Sequence, residues 1–257
     1  MSQFKSAIRT AAKVFVPPSV LEARRRWLLK RSIDRVDQDL VGKPASEIFS
    51  EIYHRQLWGR PEGERQFSSG HGSHLDEHVI PYVEAVQIFV GGLSWRPNVV
   101  DLGCGDFNVG SSIRECFGRY IACDVASAVL EENKARYASL DVDFVQLDML
   151  EDEFPKGDIC IIRQVLQHLS NLDISRVVRK LGGYKILILT EPLPRQDFVP
   201  NLDQPTGVSS RLARGLPSGV VLTDPPFSLR VKSSRVLCTT FDDFSHSQLV
   251  TTAYWLQ

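Results

Sequence analysis

The sequence predicts an α/β fold built on an open, mostly parallel sheet, and three stretches point to it. Val99-Val100-Asp101-Leu102-Gly103-Cys104-Gly105 reads as a short apolar strand, a glycine turn and a helix start. Tyr120-Ile121-Ala122-Cys123-Asp124 and Val142-Asp143-Phe144-Val145-Gln146-Leu147-Asp148 read as two further strands, each ending in a carboxylate. Ligands of open parallel sheets gather at the carboxyl ends of the strands. Three strand ends bearing Asp101, Asp124 and Asp148 therefore mark one candidate site.

The elements follow in order. Residues 1–16 place Phe4, Ile8, Ala11, Ala12 and Phe15 near helical spacing, with Lys5, Arg9 and Lys13 on another face. Pro17-Pro18 ends that segment. Residues 19–35 set Leu21, Trp27, Leu28 and Leu29 beside Arg24-Arg25-Arg26 and Lys30-Arg31. Residues 1–35 hold nine Lys or Arg against Glu22 and Asp34, while the whole chain carries −1. Two readings fit this basic helical arm of residues 1–45. It lies on an anionic membrane surface, or it packs on this chain or its dimer mate.

Residues 44–53 predict a short helix. A linker rich in Gly, Ser and charge follows, through Ser68-Ser69-Gly70-His71-Gly72-Ser73. Glycine-rich backbone of that kind makes an anion-binding nest. Ser73 with Asp76 resembles a capping box opening a helix through residue 91. Helices are predicted over 108–116 and 125–137. Residues 157–162 form a continuous apolar run that suits a buried fourth strand, followed by Arg163 and Gln164. A helix over 173–181, capped by Asn171, leads to a fifth strand over 184–190 that ends at Glu191. Residues 191–234 are rich in Pro and Gly and predict an insertion over the site. Residues 235–241 and 249–256 alternate and read as a closing hairpin. The sum is a Rossmann-like seven-stranded mostly parallel sheet with an antiparallel C-terminal hairpin, occupying residues 46–257, plus an N-terminal helical arm.

The glycine turn lacks the third Gly or Ala of the dinucleotide fingerprint, because Asn108 stands there. An acid two residues before Gly-x-Gly instead resembles motif I of the class I S-adenosylmethionine-dependent methyltransferases. The resemblance implies S-adenosylmethionine as cofactor, cradled by Asp101, Gly103, Cys104 and Gly105. It implies Asp124 and Val125 at the ribose and Asp148 and Met149 at the adenine. Read from their glycine-rich backbone, Ser69, Gly70 and Gly72 bend over the ligand's carboxylate or form a plain helix-entry loop, and Arg163 and Gln164 stand at the fourth strand's carboxyl end, where ligands bind. Residues 46–257 also resemble a little-characterised branch of that family. The branch's motifs appear here as Tyr53, Trp58-Gly59, Ser69-Gly70-His71-Gly72-Ser73, Cys104-Gly105-Asp106-Phe107-Asn108, Arg163, Leu166, His168-Leu169-Ser170, Asn201-Leu202-Asp203 and Pro225-Pro226-Phe227. The branch often continues with a Gly, an aromatic and an Arg. Here Gly207 is followed by Val208 and Ser209, and Arg211 comes later.

Methyl transfer from a sulfonium is an in-line displacement, so the protein's main task is alignment. An alcohol acceptor must also lose a proton. His168, just after the fourth strand, is the first candidate base, because histidine titrates near neutral pH. Packed between Leu166 and Leu169, it also fits a core role. Glu191 is the second candidate. Trp58, Asn201, Asp203 and Arg211 are expected on the acceptor side. The expected acceptor is a sugar hydroxyl of a glycan, glycolipid or lipid-linked saccharide, because a basic arm accompanies a long acceptor loop. A soluble small molecule is the alternative, and so is a non-catalytic cofactor binder.

Thr223-Asp224-Pro225-Pro226-Phe227 resembles the Asp-Pro-Pro-Phe motif of amino-methylating DNA enzymes. In those it follows strand four, which residues 157–162 already supply here, so no nucleic-acid partner is expected. Five cysteines without paired spacing predict a reducing compartment and no metal site. No run of about 18 apolar residues and no apolar leader segment appear, so a cytoplasmic protein is expected, peripheral at the inner face of the membrane if the arm binds lipid. A homodimer is the expectation under the other reading of the arm.

Overall fold

A computed structural model describes residues 35–257, apart from 37, 41, 61, 62, 244 and 245. Most of the predicted basic arm lies outside the described residues. The described chain forms one seven-stranded sheet in the order β3-β2-β1-β4-β5-β7-β6. The strands are β1 (Val99–Leu102), β2 (Tyr120–Asp124), β3 (Asp143–Gln146), β4 (Ile159–Arg163), β5 (Ile186–Pro194), β6 (Val231–Asp242) and β7 (Ser247–Leu256). Neighbours from β3 to β5 pair in parallel, and β7 runs antiparallel to both β5 and β6. The Rossmann-like sheet with its closing hairpin is therefore present as expected.

Helices α1 (Ala45–His54), α2 (Asp76–Gly91), α3 (Asn108–Ile113), α4 (Ser127–Arg136) and α5 (Asn171–Lys180) flank it. Tyr82, Val86, Phe89 and Val90 of α2 pack with Val109 and Ile113 of α3 on one face, against Val99, Ile159, Ile161, Ile186 and Ile188. Ile174 and Val177 of α5 pack on the other, against Val100, Leu102, Cys160, Ile162 and Leu187. Covering both faces buries every residue of β1, which is why its short apolar run does not alternate.

Several boundaries move. Ser73 does not cap α2: Leu75 stands at the N-cap with no side-chain cap, residues His71–Ser73 form a 3-10 turn, and the Ser73 hydroxyl accepts from Arg163 instead. The cap of α5 is Ser170, whose hydroxyl accepts from the Asp173 amide, and Asn171 is the first helical residue. β5 continues through Pro194 because β7 supplies partners along its whole length, so Glu191 sits inside a strand rather than in the insertion.

Sheet order reverses between β1 and β4, where chain crossovers diverge to opposite sides. A crevice opens at such a point, above the carboxyl ends of the strands.

Candidate active site

A cavity of about 430 Å³ fills that crevice. Its wall is assembled from the ends of β1, β2 and β4, the chain after β3, and residues 69–73. Asp101, Asp124 and Asp148 all reach it, as do Ser69, Gly70, Gly72, Gly103, Cys104, Gly105, Val125, Met149, Arg163 and Gln164. Every residue expected at the cofactor thus lies on one wall, together with Trp58 and His168.

The turn after β1 has bare backbone for a physical reason. Gly103 and Gly105 have φ of +77° and +56°, angles that a side chain strains. A Cβ on Gly103 would strike Val165, and one on Gly105 would strike the Ser69 hydroxyl. Asp124 stabilises the turn: Gly105 N–H donates to its Oδ2 and Ala126 N–H to its Oδ1, both at 3.0 Å. Burial raises the Asp124 pKa against these bonds. Asp101 is 7 % exposed and accepts from the Tyr120 hydroxyl at 2.9 Å. Burial, opposed by that bond and by Arg163, pushes its pKa up to about 7.

The raised pKa ties stability to pH. Protonated Asp101 suits the fold better than the charged form does, so its contribution is complete below the unfolded value near 3.8 and is lost as pH rises through about 7. Asp101→Asn keeps an acceptor for Tyr120 and removes the charge. Its melting temperature relative to the native chain should therefore rise between pH 5 and pH 8. A difference that stays flat or falls contradicts the account.

Residues 69–74 form a clasp over the turn. Ser69 and Asp106 are reciprocally bonded: Ser69 N–H donates to Asp106 Oδ2, and Asp106 N–H donates to Ser69 Oγ. His74 Nε2 lies 2.6 Å from the same carboxylate. Burial pushes the Asp106 carboxyl up, but the His74 bond and charge and the amides of Ser69 and Asn108 outweigh it and hold it low. Arg163 reaches across from β4, donating to Ser73 Oγ and the Gly72 carbonyl, with Tyr82's ring 5.0 Å from its guanidinium carbon. Its Nε is buried without a partner. Tyr53, Tyr82 and Asp106 thus join the site unpredicted. Asp106 stood in the quoted Cys-Gly-Asp-Phe-Asn motif, and its role became visible only when residue 69 was brought beside it.

The acceptor-side and base expectations fare differently. Trp58 and His168 rings lie 5.1 Å apart on the cavity wall. Burial drives the His168 pKa down to about 4, so the ring does not titrate near neutrality as expected from its type. Glu191 does not reach the cavity: it is 2 % exposed, and its two carboxylate oxygens accept the Leu166 and Gln167 amides. Asn201, Asp203 and Arg211 are also absent from the wall. Asn201 donates to the Val221 and Pro225 carbonyls, and Asp203 accepts the Asn171 and Gln204 amides. Arg211 is buried against Leu202, Leu169 and Asn171. Asn201 and Arg211 organise the insertion from within, and exposed Asp203 braces it at the surface. Residues 223–227 likewise stay away from the cavity, with Phe227 in the core. Among the described residues no group of His, Cys, Asp or Glu is arranged to hold a metal ion, and no helix is long and apolar enough to cross a membrane.

Residues 99–183 match the family model described as a methyltransferase domain. No curated protein matches the chain. Among solved structures, the fold is similar to the N-methyltransferase NodS from Bradyrhizobium japonicum in complex with S-adenosylhomocysteine. The TM-score is 0.57 at 11% identity, covering 82% of this chain and 100% of that one. A Leishmania major SAM-dependent methyltransferase gives 0.56 at 15% identity, covering 83% and 81%. Magnesium protoporphyrin IX methyltransferase from Synechocystis, with bound SAM, gives 0.50 at 15% identity, covering 84% and 99%. Sheet order, acid-lined crevice and matched segment agree: residues 99–183 of this chain form a methyltransferase domain, set in the Rossmann-like fold that these solved structures share.

Proposed function

We propose that this chain methylates a hydroxyl group of a saccharide, in a glycan, glycolipid or lipid-linked sugar. One observation carries the reading. The wall beside the end of β4 combines an aromatic surface with buried polar atoms that no protein group satisfies: Trp58 Nε1, Gln164 Nε2 and His168 Nδ1. An unpaired buried polar atom costs about 1–3 kcal/mol, so such a cluster is a plausible use of stability only where a ligand completes it. A sugar supplies hydroxyls that both donate and accept, and an apolar ring face for Trp58.

The cofactor cradle fits the residues present, since Gly103 and Gly105 leave backbone where a Cβ would strike, and Arg163 Nε awaits an acceptor. Asp124 with Val125 would hold the ribose, Asp148 with Met149 the adenine, and Arg163 with residues 69–72 the amino-acid end. When bound, S-adenosylmethionine supplies a methyl group on a sulfonium sulfur, which retains the bond's electron pair. His168 supplies the acceptor for the hydroxyl proton. Its ring is hydrogen-bonded to the Val208 backbone and stays neutral at pH 7. A base this weak takes the proton late, once the attacking oxygen has become acidic.

His168→Ala should lower transfer by about 10²- to 10⁴-fold and leave the S-adenosylhomocysteine affinity near the native value. Undiminished transfer would make His168 structural. The direct test incubates the full chain with methyl-labelled cofactor and a glycan and glycolipid fraction. Label recovered in an O-methyl sugar supports the reading. Label on nitrogen overturns it, and label in a free small molecule favours the soluble acceptor. The basic charge of residues 1–35 adds an anionic membrane surface as a proposed partner, tested by vesicle flotation of the full chain against a deletion of those residues.

A further inference from the structure

We infer that Glu191 and Arg211 are positioning residues, which never reach the cavity yet fix the Leu166–His168 turn and so set where the His168 ring stands. The inference rests on His168 meeting the acceptor, and its test reads the ring itself.

The turn is gripped on two sides. Leu166–His168 is a single 3-10 turn, too short to satisfy its own first amides. Glu191 supplies what is missing from β5: Oε1 accepts the Leu166 amide at 2.9 Å and Oε2 accepts the Gln167 amide at 3.0 Å. The insertion grips the other side. Gln204 Nε2 donates to the Gln167 carbonyl, Gly207 N–H donates to the His168 carbonyl, and the Val208 backbone meets the His168 ring.

Arg211 ties that part of the insertion down. Its Nε donates to the Leu202 carbonyl, and its Nη2 donates to the Leu169 carbonyl and Asn171 Oδ1. Arg211 is 1 % exposed and Glu191 2 %, and burial pushes the Glu191 carboxyl up to about 8 against the amides it accepts and the Arg211 charge. Buried polar side chains add little stability over apolar residues of similar volume. What Glu191 and Arg211, with their directed bonds, add is geometry. Here the geometry belongs to the segment from Leu166 to Leu169, between the cofactor cradle and the insertion.

The experiment uses the full chain labelled with ¹⁵N-histidine, His168 being assigned by its loss in His168→Gln, with S-adenosylhomocysteine as the probe for the cofactor site. With Nδ1 unpaired and the ring bonded to the Val208 backbone, the native chain should show one His168 tautomer, protonated on Nε2. In Glu191→Gln an amide N–H₂ faces a backbone donor, and in Arg211→Lys the fork to Leu169 and Asn171 is lost. Both variants should show mixed His168 tautomers and a titration midpoint raised by about one pH unit or more, with the probe's affinity within about threefold of native. An unchanged tautomer and midpoint in either folded variant overturns the inference, as does a fall in probe affinity that accompanies the ring's change. Should Glu191→Gln fail to fold, Arg211→Lys decides, and Gln204→Ala gives a milder release of the same turn with the same expected ring signature. Transfer that survives His168→Ala while the ring responds as stated would sink the proton-acceptor reading and leave the positioning role standing.

Discussion

Asp124→Ala should raise the calorimetric dissociation constant for S-adenosylhomocysteine by about 100-fold or more. Two losses combine. The carboxylate accepts the Gly105 and Ala126 amides, so its removal frees the glycine turn and the start of the following chain. It is also the strand-end acid proposed for the ribose, and hydrogen bonds to a charged group contribute about 1.5–3 kcal/mol each. Tenfold in affinity corresponds to about 1.4 kcal/mol, so one ribose bond and a loosened turn suffice for the stated effect. The circular dichroism spectrum should stay that of an α/β protein. Affinity within about threefold of native in a folded variant would remove Asp124 from the cofactor site.

Gly105→Ala should be nearly as damaging without changing any charge. The backbone φ of +56° costs an L-residue about 1–2 kcal/mol. The new methyl would overlap the Ser69 hydroxyl and come within 3.1 Å of the Tyr53 hydroxyl. Ser69 must then move, and its reciprocal bonds with Asp106 break. Probe affinity is expected to fall by about tenfold or more, with a melting temperature several degrees lower, as about 2–4 °C per kcal/mol implies for a chain of this size. Gly182→Ala is the control, since a Cβ there meets nothing within 4 Å and φ is not positive. Equal behaviour of the two variants would show that the turn tolerates a side chain.

What the sequence made legible follows from how local each signal is. Strand ends at Asp101, Asp124 and Asp148 could be read because an apolar run closed by an acid is a local pattern, and parallel pairing brings such ends to one edge. The hairpin was readable from alternation, although β6 begins at Val231 and β5 extends to Pro194, because pairing across the sheet, not composition, sets strand length. The insertion was illegible in its detail. Asn201 and Arg211 look like surface groups ready for a ligand, and only the tertiary contacts reveal them as internal supports, while exposed Asp203 accepts two backbone amides. Glu191 misled for a related reason: a strand-end carboxylate marks a site at β2, whereas at β5 it serves two backbone amides. His168 lines the cavity, but its pKa depends on burial, which residue type does not encode.

β6 closes the sheet, and its outer edge shapes how the molecule meets its own copies. Residues 232–236 are exposed on both faces, and register shifts interrupt the pairing at Val231/Ser233 and Val236/Cys238. A copy docking antiparallel about Ser233 and Ser234 would set Lys232 opposite Arg235 twice over, at a cross-strand spacing of about 5 Å. Like charges at that distance repel, and irregular strands offer a poor template. The long rim is thereby protected against open-ended stacking, so concentrated solutions of the described domain should resist fibril growth.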